Sequence, residues 1–312
     1  MEQHCRERLH TFTLTDLPDL DVAVLGALDL FEEEPLAPIP AVPYKNPLII
    51  GSVNALSTAK ILFEKLDAVY ADESTYESIL ESHTPRDGAI LVSASGGKHA
   101  IGIAEKLAEL KVPLTLLTNN PQAPAGAYVT DRDIIVFPKN REPYTYNTST
   151  YMGMFFARTG EDPRAIRQHI AEVVKERIPT DFSVYDSFFI MVPPQFEKIR
   201  SMLLTKFDEL FGGRVSGRVF TIEEAKHAKT VVPSDKELFI SFGDENTLFG
   251  MESQRLHIPL AQNAGYAAMM AVGYYVIGQI QKQHPPYFKQ SLPSYVEDAS
   301  RLFGYTIEPI VE

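Results

Sequence analysis

The apolar positions change their spacing several times along the chain, and each change predicts an element. Leu20, Val24, Leu25, Leu28 and Phe31 recur at helical spacing and predict a helix over 20–32. Pro35, Pro38, Pro40 and Pro43 follow. Each lacks an N–H and fixes φ, so an extended linker is predicted. From Leu48 the pattern becomes short continuous apolar runs that alternate with helical ones. Leu48-Ile49-Ile50 precedes Gly51-Ser52 and a helical pattern over 55–66. Ala89-Ile90-Leu91-Val92 precedes a Ser/Gly loop and an amphipathic helix over 99–110. Further strands are predicted over 68–70, 112–117 and 133–137. Strands apolar on both faces and separated by helices imply a parallel sheet covered on both sides.

Helical patterns over 148–157 and 163–177 lead to a second series. Ser187-Phe188-Phe189-Ile190-Met191-Val192 reads as a buried strand, followed by Pro193-Pro194 and a long helix over 195–211. Strands over 214–220 and 237–242 and an apolar helix over 264–281 complete it. The class is therefore α/β. The expected organisation is a lead-in over 1–45 and two similar α/β units over 46–180 and 181–312, which suits a chain of 312 residues.

Charge narrows the partners. With 29 Lys+Arg against 41 Asp+Glu the formal net charge is −12, so nucleic acid and anionic membranes are excluded as expected partners. An anion has to be held locally. The single cysteine, Cys5, excludes an intramolecular disulfide and a Cys-rich zinc site. His4, Cys5 and His10 are read as chance polar neighbours and not as metal ligands, and no metal is expected. The apolar stretch 267–280 is too short to span a bilayer, and residues 1–10 do not read as a secretory signal, so a cytoplasmic location is expected.

The loop Ser93-Ala94-Ser95-Gly96-Gly97-Lys98 lies between a predicted strand and a predicted helix N-terminus. Free N–H groups and the helix dipole suit an anion there. Ser93 and Ser95 bring hydroxyl donors, Gly96 and Gly97 permit close backbone approach, and Lys98 adds a cation. The spacing fits neither a P-loop nor a dinucleotide fingerprint. The plainer account is a tight turn with Ser95 capping the helix.

With this strand, loop and helix the chain resembles the phosphosugar-binding element of sugar isomerase (SIS) domains. Thr118-Asn119 at the next strand end, Lys206-Phe207-Asp208-Glu209 and Glu224-Ala225-Lys226-His227 extend the resemblance over about residues 45–312. The latter two are similar to the Lys-x-x-Glu and Glu-x-x-His elements of double-SIS enzymes, the phosphoglucose/phosphomannose isomerases and the isomerase domain of glucosamine-6-phosphate synthase. The sequence departs from the family at four points, one being a slightly longer segment between Glu209 and His227. Lys98 stands where the family loop has Thr, Gly51-Ser52-Val53-Asn54-Ala55 lacks a glycine and a hydroxyl of the family's first loop, and Ala228 replaces a common Gly.

The resemblance implies two tandem three-layer α/β/α units with parallel sheets, and aldose–ketose isomerisation of a hexose phosphate without a cofactor. It implies Glu209 as the base at the C–H bond, Lys206 beside the developing enediolate oxygen, and His227 in ring opening. It implies substrate contacts at Ser52, Asn54, Ser93, Ser95, Gly96, Gly97, Lys98, Glu142 and Thr148, and a homodimer in which a neighbour supplies the histidine. Helical spacing puts Lys206 and Glu209 on one face, which an exposed i,i+3 ion pair also explains. Thr148 or Ser149 is the expected cap of the helix after Glu142. Two other functions share these residues: an amino-sugar or fructosamine phosphate deaminase or deglycase, and a non-catalytic phosphosugar sensor.

Overall fold

The computed structural model describes residues 5–82 and 86–312. His4 lies outside them, so the group of His4, Cys5 and His10 is not described as a whole. The chain opens with α1 (Cys5–Thr11) and α2 (Leu20–Glu33), and the proline segment after α2 has no regular structure. The first sheet follows, from β1 (Leu48–Gly51), β2 (Val69–Ala71), β3 (Ala89–Val92), β4 (Leu114–Thr118) and β5 (Ile134–Val136). The helices α3 (Asn54–Leu62), α4 (Tyr76–Glu81) and α5 (His99–Glu109) alternate with these strands.

The sheet order is β2-β1-β3-β4-β5 and every pairing is parallel. Every residue of β1, β3 and β4 is buried, as their continuous apolar runs require. Leu48, Ile50, Leu91 and Leu116 meet Ile103, Ala104 and Leu107 of α5 in one core. The helix predicted over 55–66 stops at Leu62, four residues early.

A short strand, β6 (Glu142–Pro143), precedes α6 (Thr148–Thr159). The helix predicted over 163–177 is one helical run in three pieces: α7 (Pro163–His169), a π-turn over Ile170–Val174 and α8 (Lys175–Arg177). Asp162 caps it by accepting a bond from the Arg164 N–H. The second sheet contains β7 (Ser187–Val192), β8 (Ser216–Thr221), β9 (Glu237–Phe242) and β10 (Arg255–Ile258), in the order β10-β9-β7-β8, all parallel. Its helices are α9 (Arg200–Phe211), entered through a 3₁₀ turn, the one-turn α10 (Ile222–Ala225), α11 (Tyr266–Gln283) and α12 (Tyr287–Phe303).

The last strand, β11 (Ile310–Val311), pairs antiparallel with β6. The expected α/β class with two parallel sheets is therefore observed. The edge strand β10 and helix α12 had no counterpart in the sequence reading. Phe288, Leu292, Val296 and Ala299 carry the helical spacing of α12, but Pro293 inside it broke the pattern.

The chain divides into two compact units. One holds the residues to Pro35, Asn140–Met152 and Glu161–Glu312; the other holds Leu36–Lys139 and Gly153–Gly160. Within the first, α2 lies against α11. A Cβ on Gly278 of α11 would come within 2.2 Å of the Asp21 backbone nitrogen, so glycine sets the closeness of these helices. The α2 helix of the lead-in is thus part of the core around the second sheet. No helix among the described residues is long and apolar enough to cross a membrane.

Candidate functional site

Two sets of candidate residues emerge, one in each unit. In the first sheet they sit at the C-terminal ends of the adjacent parallel strands β1 and β3, where α/β sheets bind ligands. Ser52 and Asn54 follow β1. Asn54 opens α3, is 5% exposed, and its Oδ1 is buried without a hydrogen bond. Ser93 to Lys98 follow β3 and lead into α5.

This loop is held from within and from below. The Gly96 and Gly97 N–H groups donate to the Ser93 and Ser95 hydroxyl oxygens, both at 3.2 Å. Each hydroxyl hydrogen therefore remains available to a bound anion. Thr118 Oγ1 and the Asn119 N–H donate to the Ala94 carbonyl at 3.0 and 2.9 Å, and Asn120 Nδ2 donates to the Ser95 carbonyl at 3.0 Å. Thr118-Asn119-Asn120 thus forms a shelf under the loop.

Gly96 has φ +62°, and a Cβ there would lie 2.4 Å from the Ala123 Cβ, so glycine is required. Lys98 takes φ 50° at the helix entry, and Val53 takes φ 45° at the equivalent point before α3. Two non-glycine residues share this costly conformation, and both stand at the mouth of the sheet. The Lys98 side chain is exposed.

The other unit holds Glu142, Thr148, Lys206, Glu209 and His227. Lys206 is fully buried, at 0% side-chain exposure, so an exposed i,i+3 pair does not describe it. Its Nζ donates to Glu209 Oε2 at 2.5 Å and to the Thr145 carbonyl at 2.6 Å, and it stands 5.5 Å from the Tyr274 ring centroid. A buried ammonium needs such partners, because desolvation without them is very costly. Thr145 adopts φ +76°, a left-handed conformation that is rare for threonine.

Glu209 is partly exposed, with Oε2 held by Lys206 and Oε1 without a hydrogen bond among the described residues. Burial raises the Glu209 pKa above the ordinary carboxylate value, although the Lys206 charge pulls it down. Tyr151 and Tyr274 are buried, and their phenols are pushed up by burial and then by the Glu209 charge.

Glu142 is buried at the start of α6. Its carboxylate accepts from the Thr148 N–H at 2.6 Å, the Ser149 N–H at 2.7 Å and Ser149 Oγ at 2.5 Å. The cap of α6 therefore comes from Glu142, several residues upstream, and not from Thr148 or Ser149. A carboxylate at a helix N-terminus satisfies orphan amides and the dipole together. Burial still raises the Glu142 pKa, against the pull of these bonds. Thr148 is fully buried and its Oγ1 has no hydrogen bond, as is also true of Thr145 Oγ1.

His227 is exposed in the turn after α10. Glu224 has a structural task. It forms a capping box with Thr221 and accepts from Arg200 Nη1 at 2.8 Å. The structure brings Lys206, Glu209 and Glu142 to the Thr145–Tyr151 segment, which contains Thr148, and no described contact joins His227 to them. Sequence places Thr145 and Tyr151 in the stretch after Glu142 without assigning either a role, and it gives no sign of Tyr274. Only tertiary contacts mark them, although Thr145 stood in a hydroxyl-rich stretch.

The sequence matches no protein-family model and no curated protein sequence. Solved structures do share the fold. Glucosamine-6-phosphate deaminase from Thermotoga maritima aligns with TM-score 0.57 and 13% identity, covering 86% of this chain and 94% of that one. Tagatose-6-phosphate ketose/aldose isomerase from Escherichia coli aligns with TM-score 0.54 and 10% identity, over 78% and 84%. The C-terminal domain of glucosamine-fructose-6-phosphate aminotransferase from Francisella tularensis aligns with TM-score 0.51 and 13% identity, over 93% and 97%.

Proposed function

We propose that this chain is a phosphosugar enzyme of the sugar isomerase type, interconverting an aldose and a ketose hexose phosphate through an enediolate. The observation that carries the reading is the Lys206–Glu209 pair: a fully buried ammonium 2.5 Å from a carboxylate whose other oxygen is open and whose pKa is raised. Proton transfer between C2 and C1 requires such a base, and a raised pKa brings it nearer to working pH. The three solved structures named above all act on sugar phosphates by their descriptions, which supports the substrate class.

In this reading the Ser93–Lys98 loop holds a phosphate through the hydroxyls of Ser93 and Ser95, and Ser52 and Asn54 offer polar groups at the adjacent strand end. Glu209 Oε1 takes the C2 proton of the open-chain aldose and returns it to C1, while the O2 hydroxyl proton passes to O1 and the carbonyl moves from C1 to C2. The negative charge that develops on oxygen is stabilised by Lys206. His227, from a neighbouring copy in a homodimer, passes a proton to the ring oxygen as the ring opens. Glu142 acts through structure: it fixes the start of α6 and so the Thr145 and Thr148 positions. Residues 46–180 and 181–312, each containing one parallel sheet, are the two sugar isomerase-type domains, preceded by the segment 1–45. The reaction needs no cofactor, because the enediolate is reached by proton transfer alone.

The test is proton-exchange NMR in deuterated water with a panel of aldose and ketose hexose phosphates. Exchange at C2 with wild type, lost in Glu209→Gln, supports the reading. Binding without exchange overturns it in favour of a sensor. Release of ammonia or a free amine from an amino-sugar phosphate overturns it in favour of a deaminase or deglycase.

A further inference from the structure

Moving a carbonyl from C1 to C2 transfers two protons, one between the carbons and one between the oxygens. Glu209 is occupied with the first. Lys206 Nζ already donates to Glu209 Oε2 and to the Thr145 carbonyl. The second proton needs a group that gives a proton to O1 and takes one from O2, and a hydroxyl does both.

Three hydroxyls lie in the segment that Lys206 and Glu142 hold. Thr145 Oγ1 and Thr148 Oγ1 are buried without a hydrogen bond among the described residues. Tyr151 follows Thr148 by three residues on α6, so the two side chains leave one face of the helix. Tyr151 is 6% exposed, and its hydroxyl makes no hydrogen bond among the described residues. A buried tyrosine hydroxyl ordinarily finds a partner, so this one is placed for a ligand. The other buried phenol near Glu209, Tyr274, is turned to the Met202 carbonyl at 3.5 Å.

Electrostatics set the order of events. Burial and then the Glu209 charge hold the proton on the Tyr151 phenol, so the hydroxyl is a donor at rest. Once Glu209 has taken the C2 proton it is neutral, and its part of that hold ends. The phenol becomes a stronger acid at the moment O1 requires a proton.

We propose that Tyr151 is a further catalytic residue, whose hydroxyl carries the proton between O1 and O2 of the open-chain sugar. As Glu209 removes the C2 proton, the C2–H electron pair becomes the C1=C2 bond. The C1 carbonyl oxygen takes the Tyr151 proton, which leaves an enediol and a phenolate. The phenolate then removes the O2 proton, and the O2–H pair becomes the C2=O bond. The C1=C2 pair takes the proton from Glu209 at C1, and both residues end as they began. This assignment rests on the proposed function and names the carrier of its second proton.

The test is Tyr151→Phe, compared with wild type on the aldose hexose phosphate that wild type converts, in deuterated water. Phenylalanine removes an oxygen that bonds to nothing among the described residues. Urea unfolding and KM are therefore expected to stay at wild-type values, while kcat falls at least about 10²-fold. The fate of the intermediate is the specific readout. Without the carrier, reprotonation at C2 outruns ketose formation. Deuterium then accumulates at C2 of unconverted aldose, and the ratio of exchange to conversion rises above that of wild type. A wild-type kcat or an unchanged ratio overturns the assignment and leaves the Glu209 reading standing. A fall in kcat matched by a loss of stability or affinity marks a structural role and overturns it equally. A wild type that exchanges the C2 proton of no aldose hexose phosphate overturns the Glu209 reading, and the Tyr151 assignment with it.

Discussion

Lys206 and Glu209 stand one helical turn apart on α9, 2.5 Å between Nζ and Oε2, yet the lysine is completely buried and the glutamate is 23% exposed. The cation is thus the fixed member and the carboxylate the one open to a ligand. Glu209→Gln keeps the shape and removes the base. It is expected to lower turnover by about 10²- to 10⁴-fold while sugar-phosphate affinity changes little, as checked by steady-state kinetics beside calorimetric titration.

Lys206→Met replaces a buried ammonium by an apolar chain of similar length. The Thr145 carbonyl and Glu209 Oε2 lose their donor. A loss of about 1–3 kcal/mol in urea-unfolding stability is expected from the orphaned groups, together with loss of turnover. Unchanged stability would mean that water takes over both contacts.

The raised Glu209 pKa gives two pH dependences with a defined sign. As a base, Glu209 works only when ionised, so activity falls as pH drops through its raised pKa, above the ordinary carboxylate range. For stability the direction is opposite. A carboxyl with a raised folded-state pKa contributes stability that is fully present below its unfolded value and lost as pH rises through the folded one. Relative to wild type, Glu209→Gln is therefore expected to gain stability as pH rises through that window, as measured by unfolding at a series of pH values.

The two glycines of the Ser93–Lys98 loop are expected to respond differently. A Cβ at Gly96 meets the Ala123 Cβ at 2.4 Å and sits at φ +62°, whereas at Gly97 it meets only Ser95 Oγ at 3.5 Å. Gly96→Ala is expected to abolish detectable sugar-phosphate binding, and Gly97→Ala to retain it, in a thermal-shift assay. Equal behaviour of the two would remove this loop from the binding site.

Glu142 tests the capping role directly. Glu142→Ala removes the acceptor of the Thr148 and Ser149 N–H groups at the start of α6. A destabilisation of about 1–2 kcal/mol is expected from the lost cap. Ser149→Ala, which removes one of the three bonds to Glu142 and the acceptor of the Asn140 N–H at 2.8 Å, leaves both α6 amides capped and is expected to cost less.

The central strands of both sheets were legible because their residues face apolar surroundings on both sides. Continuous runs such as 89–92 and 187–192 coincide with β3 and β7. The helix α12 was not, because Pro293 interrupts a pattern that packing nevertheless completes. The edge strand β10, Arg-Leu-His-Ile, has three of four residues only partly buried and so carries a weak signal. Local sequence suggested Thr148 or Ser149 as the cap of α6, and a carboxylate brought by β6 took that place. Hydrogen bonds across several residues have no periodic trace.

What the sequence determined alone was the α/β class, the alternation of buried strands with helices, and the placing of a Ser/Gly loop at a helix entry, because those follow from the period of apolar residues and from the backbone freedom of glycine. An i,i+3 spacing puts Lys206 and Glu209 on one face, but it says nothing of solvent. The tertiary structure decided that the ammonium is buried against the Thr145 carbonyl and the Tyr274 ring, that Glu142 belongs to a helix cap, and that the Tyr151 phenol is buried within reach of the Glu209 charge. Burial depends on which distant segments pack over a residue, and desolvation is what turns a routine ion pair into a candidate for chemistry.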